Sequence, residues 1–364
     1  MISNSPIWED GKPVLWDDVK RPEVEISLMY RPLADWTYSH HPYITVFKDR
    51  FYAIWSNGYK DEDAPGQRIL LTSSSNFQSW STPIALASPG KDEDGRERVL
   101  TAAGFHIYND LLIAYYGDYG PEKQGTGLFA LTTPDGINWS GPVDMGIPVC
   151  SNHGPQTTKS GRLIICGNVS FPYTDDPSGL TGWKMTGIYP PEMAGTKDDP
   201  EAFWHVAKNQ QWKAALCEGS FYQTDDGILH MLLRATGEGF QYRLWHTESK
   251  DDGCSWSEPE ITDFSDDNAK FHFGRLPDGR YYYVGNPLAG NRTPLILSIS
   301  NDGVNFTSHY IIGETSYEKV NEGRWKDGEY GYPCSMVRGE YIYVIVSRQK
   351  EGVEVIRVNT AELR

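Results

Sequence analysis

The chain has 364 residues and a formal net charge of −16, a balance that repels phosphate backbones and argues against general nucleic-acid binding. Its 22 Tyr, 12 Trp and 36 Gly favour strands and the tight turns between them, and long stretches of Ala, Leu, Glu and Lys at helical spacing are absent. No run of about 18 apolar residues occurs, so no membrane-crossing helix and no membrane partner are expected.

In chain order, residues 1–8 lack the basic start and apolar stretch of a signal peptide. A cytoplasmic protein is expected, or a secreted or periplasmic one if the sequence is a trimmed form. Residues 25–30 read as a strand that pairs with the last sheet of the chain. Six further strands follow a recurring unit, at 51–55, 111–116, 163–166, 228–233, 281–284 and 341–346, read as the first strand of each repeat. Several follow a sharp turn such as Asp225-Asp226-Gly227 or Pro277-Asp278-Gly279. Each repeat then closes on an aromatic residue. The clearest closing turn is Ser249-Lys-Asp251-Asp-Gly253-Cys-Ser-Trp256, the pattern S-x-D-x-G-x-x-W known as an Asp box. Weaker copies lie at Asp135-Gly136…Trp139 and Asp302-Gly303…Phe306, with a degraded one at Asn76…Trp80. In such a turn the carboxylate accepts backbone N–H groups, Gly takes a left-handed conformation and the ring fills the gap between neighbouring repeats.

Copies at a repeat spacing of roughly 50–60 residues predict an all-β fold. The expectation is a six-bladed β-propeller of four-stranded antiparallel blades, one domain over 1–364, with seven blades left open. Residues 174–215 carry no repeat signal, include Trp204 and Trp212, and read as a long loop over one mouth. The five cysteines are odd in number and form no CxxC pair. They read as small buried residues of a reducing compartment, with no disulfide frame and no zinc site. Nothing calls for a metal or another cofactor.

Two segments go beyond the repeat. Cys217-Glu218-Gly-Ser220, continuing to Arg234 and Asp251, and Asp278-Gly279, continuing to Asn286-Pro287, Arg292 and Asp302, resemble the blades of sialidases that carry Glu and Arg at the catalytic mouth. That resemblance implies three arginines clamping a substrate carboxylate, a Tyr nucleophile assisted by a Glu, and an Asp as acid/base. By position Arg234 and Arg292 match two of the arginines, Glu218 the partner of the tyrosine, Tyr332 the nucleophile and Asp61 the acid/base. In Ser39-His40-His41-Pro42, His41 stands where the first arginine belongs, with Arg31 as a rival match.

The segment from His40-His41-Pro42 through Trp55 to Gln67, with Asn152-His153-Gly154, resembles a second group of propellers. These are the lyases and glycosidases of rhamnosyl-glucuronate and related uronic-acid linkages, ulvan lyases among them. For β-elimination, arginines neutralise the carboxylate, a His takes the acidic proton and a Tyr protonates the leaving oxygen. His41, His153 and Tyr332 with Arg234 and Arg292 supply that set, and His40, Gln67 and Trp55 are the further sugar contacts. For hydrolysis, Asp61 and Glu218 are the carboxylate pair. The expected partner is a glycan bearing a carboxylate. Cleavage at a uronic-acid linkage stands ahead of sialidase-type hydrolysis because of His41. A non-catalytic glycan-binding propeller is the third reading. Each residue also has a plainer one: a strand histidine bonded to a carbonyl, an arginine paired with a carboxylate, a core tryptophan or a solvated acidic loop.

Overall fold

The structure, a computed structural model, describes residues 1–4, 8, 9, 12, 13, 18–123, 125–188, 214–236 and 241–364. It is all-β, and no helix among those residues is long and apolar enough to cross a membrane. Among the described residues, apart from a two-stranded ribbon near the N-terminus, the strands form six antiparallel sheets in chain order, five of four strands and one of three.

The first sheet is Tyr38–Phe47, Arg50–Gly58, Arg68–Ser74 and Ile84–Ala87. The second runs from Val99–Tyr108 to Ser140–Asp144. The third is built on Gln156–Thr157, Leu163–Ile164 and Tyr173–Thr174. The fourth starts at Ala215–Gln223, the fifth at His272–Arg275 and the sixth at Gly331–Arg338. The outer strand of the sixth sheet is Val24–Tyr30, which pairs with Gly352–Asn359. The strand expected at 25–30 therefore closes the last sheet, as its sequence suggested.

The strands expected to open each repeat are instead the second strands of their sheets. Residues 51–55, for example, lie inside Arg50–Gly58, between Tyr38–Phe47 and Arg68–Ser74. The physical reason is burial. Second strands such as Tyr341–Arg348 are covered on both faces and read as unbroken apolar runs, whereas the innermost strands are short or interrupted by His, Gly and Glu. The innermost strands contact one another: Tyr38–Phe47 lies against both Val99–Tyr108 and Gly331–Arg338, and His272–Arg275 against Ala215–Gln223. An added Cβ at Gly104 would lie 2.3 Å from the Gly154 nitrogen, so only glycine permits that approach of the second and third sheets.

The Asp-box turns all join the third and fourth strands of a sheet. Asp251 Oδ1 accepts from the Ser249 hydroxyl and the Ser255 N–H, both at 2.8 Å. Gly253 has φ +84°, and a Cβ there would meet the Ile164 side chain at 2.6 Å. Trp256 packs edge-on against Phe171 of the preceding sheet, ring centroids 4.9 Å apart. Asn76, where the carboxylate is lost, still accepts from the Gln78 and Ser79 N–H groups through its side-chain oxygen.

Residues 184–188 of the segment read as a long loop run back along the third sheet, with Lys184 bonded to Tyr173 and Ile188 to Val169. Residues 189–213, with Trp204 and Trp212, lie outside the described residues. All five cysteines are free, but only Cys150, Cys166 and Cys334 are buried; Cys217 is half-buried and Cys254 exposed.

Candidate active site

The innermost strands deliver the site through a shared device. In the first, fourth and sixth sheets the ladder between first and second strands slips by a residue, between His40 and Tyr43, Cys217 and Gly219, and Gly331 and Cys334. The residues at those bulges are His41, Glu218 and Tyr332, with φ of 52°, 41° and 52°. Left-handed backbone costs a non-glycine residue about 1–2 kcal/mol. A bulge re-aims its side chain out of the pleat, and all three point into one cavity of about 320 Å³. In the second sheet the equivalent slip falls between Ala102 and Gly104, and the extra residue, Ala103, is buried in the core and brings no polar group.

At the cavity wall, Arg234 Nη1 donates to both the Glu218 carboxylate and the Tyr332 hydroxyl, the latter at 2.7 Å. Its Nε donates to Asn268 Oδ1 at 2.6 Å, so the guanidinium is held from two sides. Burial pushes the Glu218 carboxyl up, but Arg234 and the Tyr332 hydrogen bond outweigh it, and the group lies below its ordinary value. The Tyr332 phenol is pushed well up by burial, with Arg234 opposing and Glu218 reinforcing. A tyrosine so placed keeps its proton unless a neighbouring base takes it.

Asp63 lines the same cavity. It accepts from Tyr119 at 2.6 Å and pairs with Lys123 at 2.5 Å. Burial raises its carboxyl, while Lys123, His41 and the Tyr119 hydrogen bond lower it further, so it sits below the usual range. Asp61, the expected acid/base, lies elsewhere: its Oδ1 accepts the Arg324 N–H at 2.6 Å and fastens a neighbouring loop. The acidic run did hold a cavity residue, two positions later than expected.

Three cations surround the Tyr332 ring: Arg234, Arg292 and Lys270 lie 5.9, 5.6 and 5.6 Å from its centroid. Arg292 lines a second, wider cavity of about 1,060 Å³ that meets the first at Glu62, Asp63, Lys123, Arg234 and Tyr332. Its Nε lies 3.5 Å from Asp267, and its buried Nη1 has no hydrogen-bond partner among the described residues. Lys270 had no place in the sequence expectation. Its ammonium is buried, bonds to the Tyr43 hydroxyl and the Asn152 carbonyl, and is depressed to about 8 by burial. Its position between Ala269 and the alternating Phe271 and Phe273 was the available signal: a lone charge at the head of an aromatic inner strand.

That depression carries a prediction. The unfolded chain holds the Lys270 proton up to about pH 10.5 while the folded one releases it near 8, so wild-type stability rises with pH between those values, by about 3 kcal/mol in all. Lys270→Met should be at least as stable as wild type at pH 7 and should lack this rise. Denaturant titrations of both proteins at pH 7 and 10 check it; equal pH dependence would mean that Lys270 carries no buried charge.

The remaining expected residues divide. His41 lines the cavity, its Nδ1 3.2 Å from the Ser56 hydroxyl and its ring pushed down to about 3 by burial. His40 lies behind it, buried, with Nδ1 bonded to Ser347 at 2.7 Å and its ring against Tyr332; it supports the tyrosine and does not face the cavity. His153 does not join the set, since it lines a separate cavity of about 140 Å³. Gln67 is buried and works as a brace, donating to Leu100 O and accepting from the Asp63 N–H. Trp55 is fully buried in the core beside Tyr30, which removes it as a sugar platform. Arg31 is exposed beside Tyr317 and lines neither cavity, so it is not a third arginine of the clamp.

Comparison with known proteins agrees with this architecture. No curated protein sequence matches the chain. Among solved structures, a protein of unknown function from Dyadobacter fermentans aligns over 93% of this chain and 100% of its own, at 16% identity and a TM-score of 0.67. A Trypanosoma rangeli sialidase in complex with sialic acid aligns over 94% of this chain and 59% of its own, at 12% identity and a TM-score of 0.63. A Hadza microbial sialidase aligns over 90% and 66%, at 10% identity and 0.65. The chain thus spans about three-fifths to two-thirds of the length of these two sialidases, and identities this low speak for the fold alone. The model of the BNR repeat-like domain matches residues 49–344, most of the sequence, and the chain belongs to that family.

Proposed function

We propose that the six sheets are the six blades of a single propeller and that the chain is a glycoside hydrolase acting on a sugar that bears a carboxylate. The observation that carries this reading is the contact of Arg234 with both Glu218 and Tyr332, with Asp63 lining the same cavity. In this reading Glu218 takes the phenolic proton as Tyr332 Oη attacks the anomeric carbon, and Asp63, an anion beside Lys123 in the free protein, takes up a proton at acid pH and delivers it to the departing oxygen. A tyrosine nucleophile suits an anomeric centre next to a carboxylate, because it approaches as a neutral group where a carboxylate would be repelled. Arg234 and the idle donor of Arg292 bind the substrate carboxylate, and Lys270 beneath Tyr332 adds a third positive charge. Trp325, exposed at the wider cavity, takes the place of Trp55 as the aromatic face for the rest of the glycan.

Hydrolysis is put ahead of elimination because His153, half of the histidine set that elimination would use, belongs to a different cavity. Elimination at a uronic-acid linkage stays as the second reading on one observation, the neutral His41 ring at the cavity beside Tyr332. The test is turnover of sialyl-lactose and of a rhamnosyl-glucuronate oligosaccharide, with reducing-sugar release and ultraviolet absorbance followed together. Release without absorbance, and a covalent sugar adduct on the Tyr332 peptide after treatment with a fluorinated glycosyl fluoride, support the hydrolase. Absorbance growing with release supports elimination, and binding without turnover supports a glycan-binding module.

The Lys123–Asp63 pair gives this reading a pH signature. An acid must hold its proton, so activity falls as pH rises through the Asp63 pKa. Lys123→Met removes the cation that lowers that carboxyl, and the alkaline limb of the pH–rate profile should move to higher pH. A limb that stays in place would take Asp63 out of the acid role.

A further inference from the structure

We infer that His153, His272 and Cys334 form a binding site for a soft divalent transition metal of the zinc class, beneath the catalytic cavity. One donor atom from each of the three lies within 4.8 Å of the other two, close enough for small side-chain adjustments to bring them onto a single ion. The site lies further along the inner strands, past the residues that line the catalytic cavity. On the first sheet's inner strand His41 lines the upper cavity and Thr45 the lower; on the sixth sheet's, Tyr332 lines the upper and Cys334 the lower. Tyr43 lines both and separates them.

The hydrogen bonds around His153 are those of a metal-ligating histidine, in which one nitrogen is anchored and the other is bare. His153 Nε2 bonds to the Phe271 carbonyl at 3.0 Å, which makes it the protonated nitrogen. Its Nδ1 is buried with no hydrogen-bond partner among the described residues, an arrangement that costs about 1–3 kcal/mol when nothing fills it. His272 Nδ1 lies 2.6 Å from the Ser335 hydroxyl, which itself donates to Tyr282 at 3.2 Å. The Ser335 N–H also donates to Nδ1 at 3.3 Å, so without an ion Nδ1 accepts and Nε2 carries the proton. Binding an ion at Nε2 moves that proton to Nδ1, where Ser335 Oγ accepts it.

Donor chemistry selects the ion. The cavity of about 140 Å³ is lined by imidazole, thiol, hydroxyl and amide groups, with no carboxylate, which favours zinc-class ions over calcium or magnesium. Its volume leaves space for a water as fourth ligand. The cation facing the cluster is Lys270, which acts on both histidines and on Cys334. It opposes a divalent ion, but it also favours the Cys334 thiolate that the ion requires, and the thiolate cancels one of the added charges. The other His-rich groups differ: His40, His41 and Glu62 belong to the catalytic region, and in the His230, His246 and Glu248 group the two rings bond to each other at 3.1 Å.

The test uses the whole chain, freed of metal with a chelator and titrated with cobalt(II) chloride and with zinc chloride. Cobalt is expected to give a thiolate-to-metal charge-transfer band at one equivalent, and zinc to displace it. Cys334→Ser should lose the band and bind zinc at least ~10-fold more weakly, and His153→Gln should weaken zinc similarly. Near-ultraviolet circular dichroism shows whether each variant keeps its fold. Absence of the band in natively folded wild-type protein overturns the inference without any variant, and so does a band that survives in Cys334→Ser. Neither readout depends on turnover, so failure of the hydrolase reading would leave this result standing.

Discussion

Tyr332→Phe is expected to lower kcat by about 10⁴-fold while leaving the affinity for an acidic sugar within a few-fold of wild type. The phenyl ring keeps the packing against His40 and the three cations around it, so the carboxylate subsite is retained. What is lost is the oxygen that Arg234 holds 2.7 Å from its own Nη1. Arg234 does not become an orphan, because Glu218 and Asn268 still accept from it. The change thus isolates the hydroxyl. Single-turnover kinetics with a good leaving group, beside a binding isotherm, separate the two effects. A variant retaining more than about a third of wild-type kcat would remove Tyr332 from the chemistry. Glu218→Gln should act in the same direction with an additional loss of stability, since it also takes the carboxylate from a buried guanidinium.

The largest stability effect is expected at Arg348, outside the site. Its Nη1 bonds both Glu354 oxygens at 2.9 Å, and its Nη2 bonds Glu329 Oε1 and the Thr315 carbonyl at 2.7 Å. Its Nε reaches the Glu329 carbonyl at 3.0 Å. The side chain is 3% exposed and that of Glu354 8%, so neither charge has water to fall back on. Arg348→Met leaves Glu354 buried without a counter-charge and should cost about 3–5 kcal/mol in denaturant titrations. The paired variant Arg348→Met with Glu354→Met should recover most of that loss, since an apolar pair of similar volume avoids both desolvation penalties. If the double variant is as unstable as the single, the effect comes from the Thr315 and Glu329 contacts instead.

Much of the fold was legible because its signals are local. The Asp-box turns are written in four to eight consecutive residues, and the closing strand at Val24–Tyr30 is a plain alternating segment. Glu218, Arg234, Arg292, Tyr332 and His41 were also within reach, through motifs that sit at fixed places in the repeat. The errors have separate causes. Inner strands carry bulges, and each bulge exchanges the faces of every residue beyond it, so inward and outward positions cannot be counted through them. Trp55 was misplaced for another reason, because its strand reads as the innermost one and is the second. Asp61 and Asp63 share a turn whose acidic run does not mark which carboxylate faces the cavity. His153 failed differently: its pairing with His272 and Cys334 joins positions more than a hundred residues apart, with no spacing for a pattern to catch. Lys270 was overlooked because a lone lysine in sequence is usually solvated, and its place at the head of an aromatic strand is a weaker signal than that expectation.

The pairing of Val24–Tyr30 with Gly352–Asn359 has a consequence for how the molecule is made. Glu25 and Arg357 meet across 332 positions of sequence. At about 5–20 residues per second, a ribosome needs roughly 20–70 s to bring the second partner out after the first. Throughout that time the early strand is an unpaired edge, with Ile26 and Leu28 partly exposed even in the finished sheet, and an unpaired apolar edge is a template for the wrong neighbour. Translation that stops short of residue 352 would release a chain whose first strand has nowhere to go. The interval before synthesis ends is therefore when this protein is most in need of a chaperone.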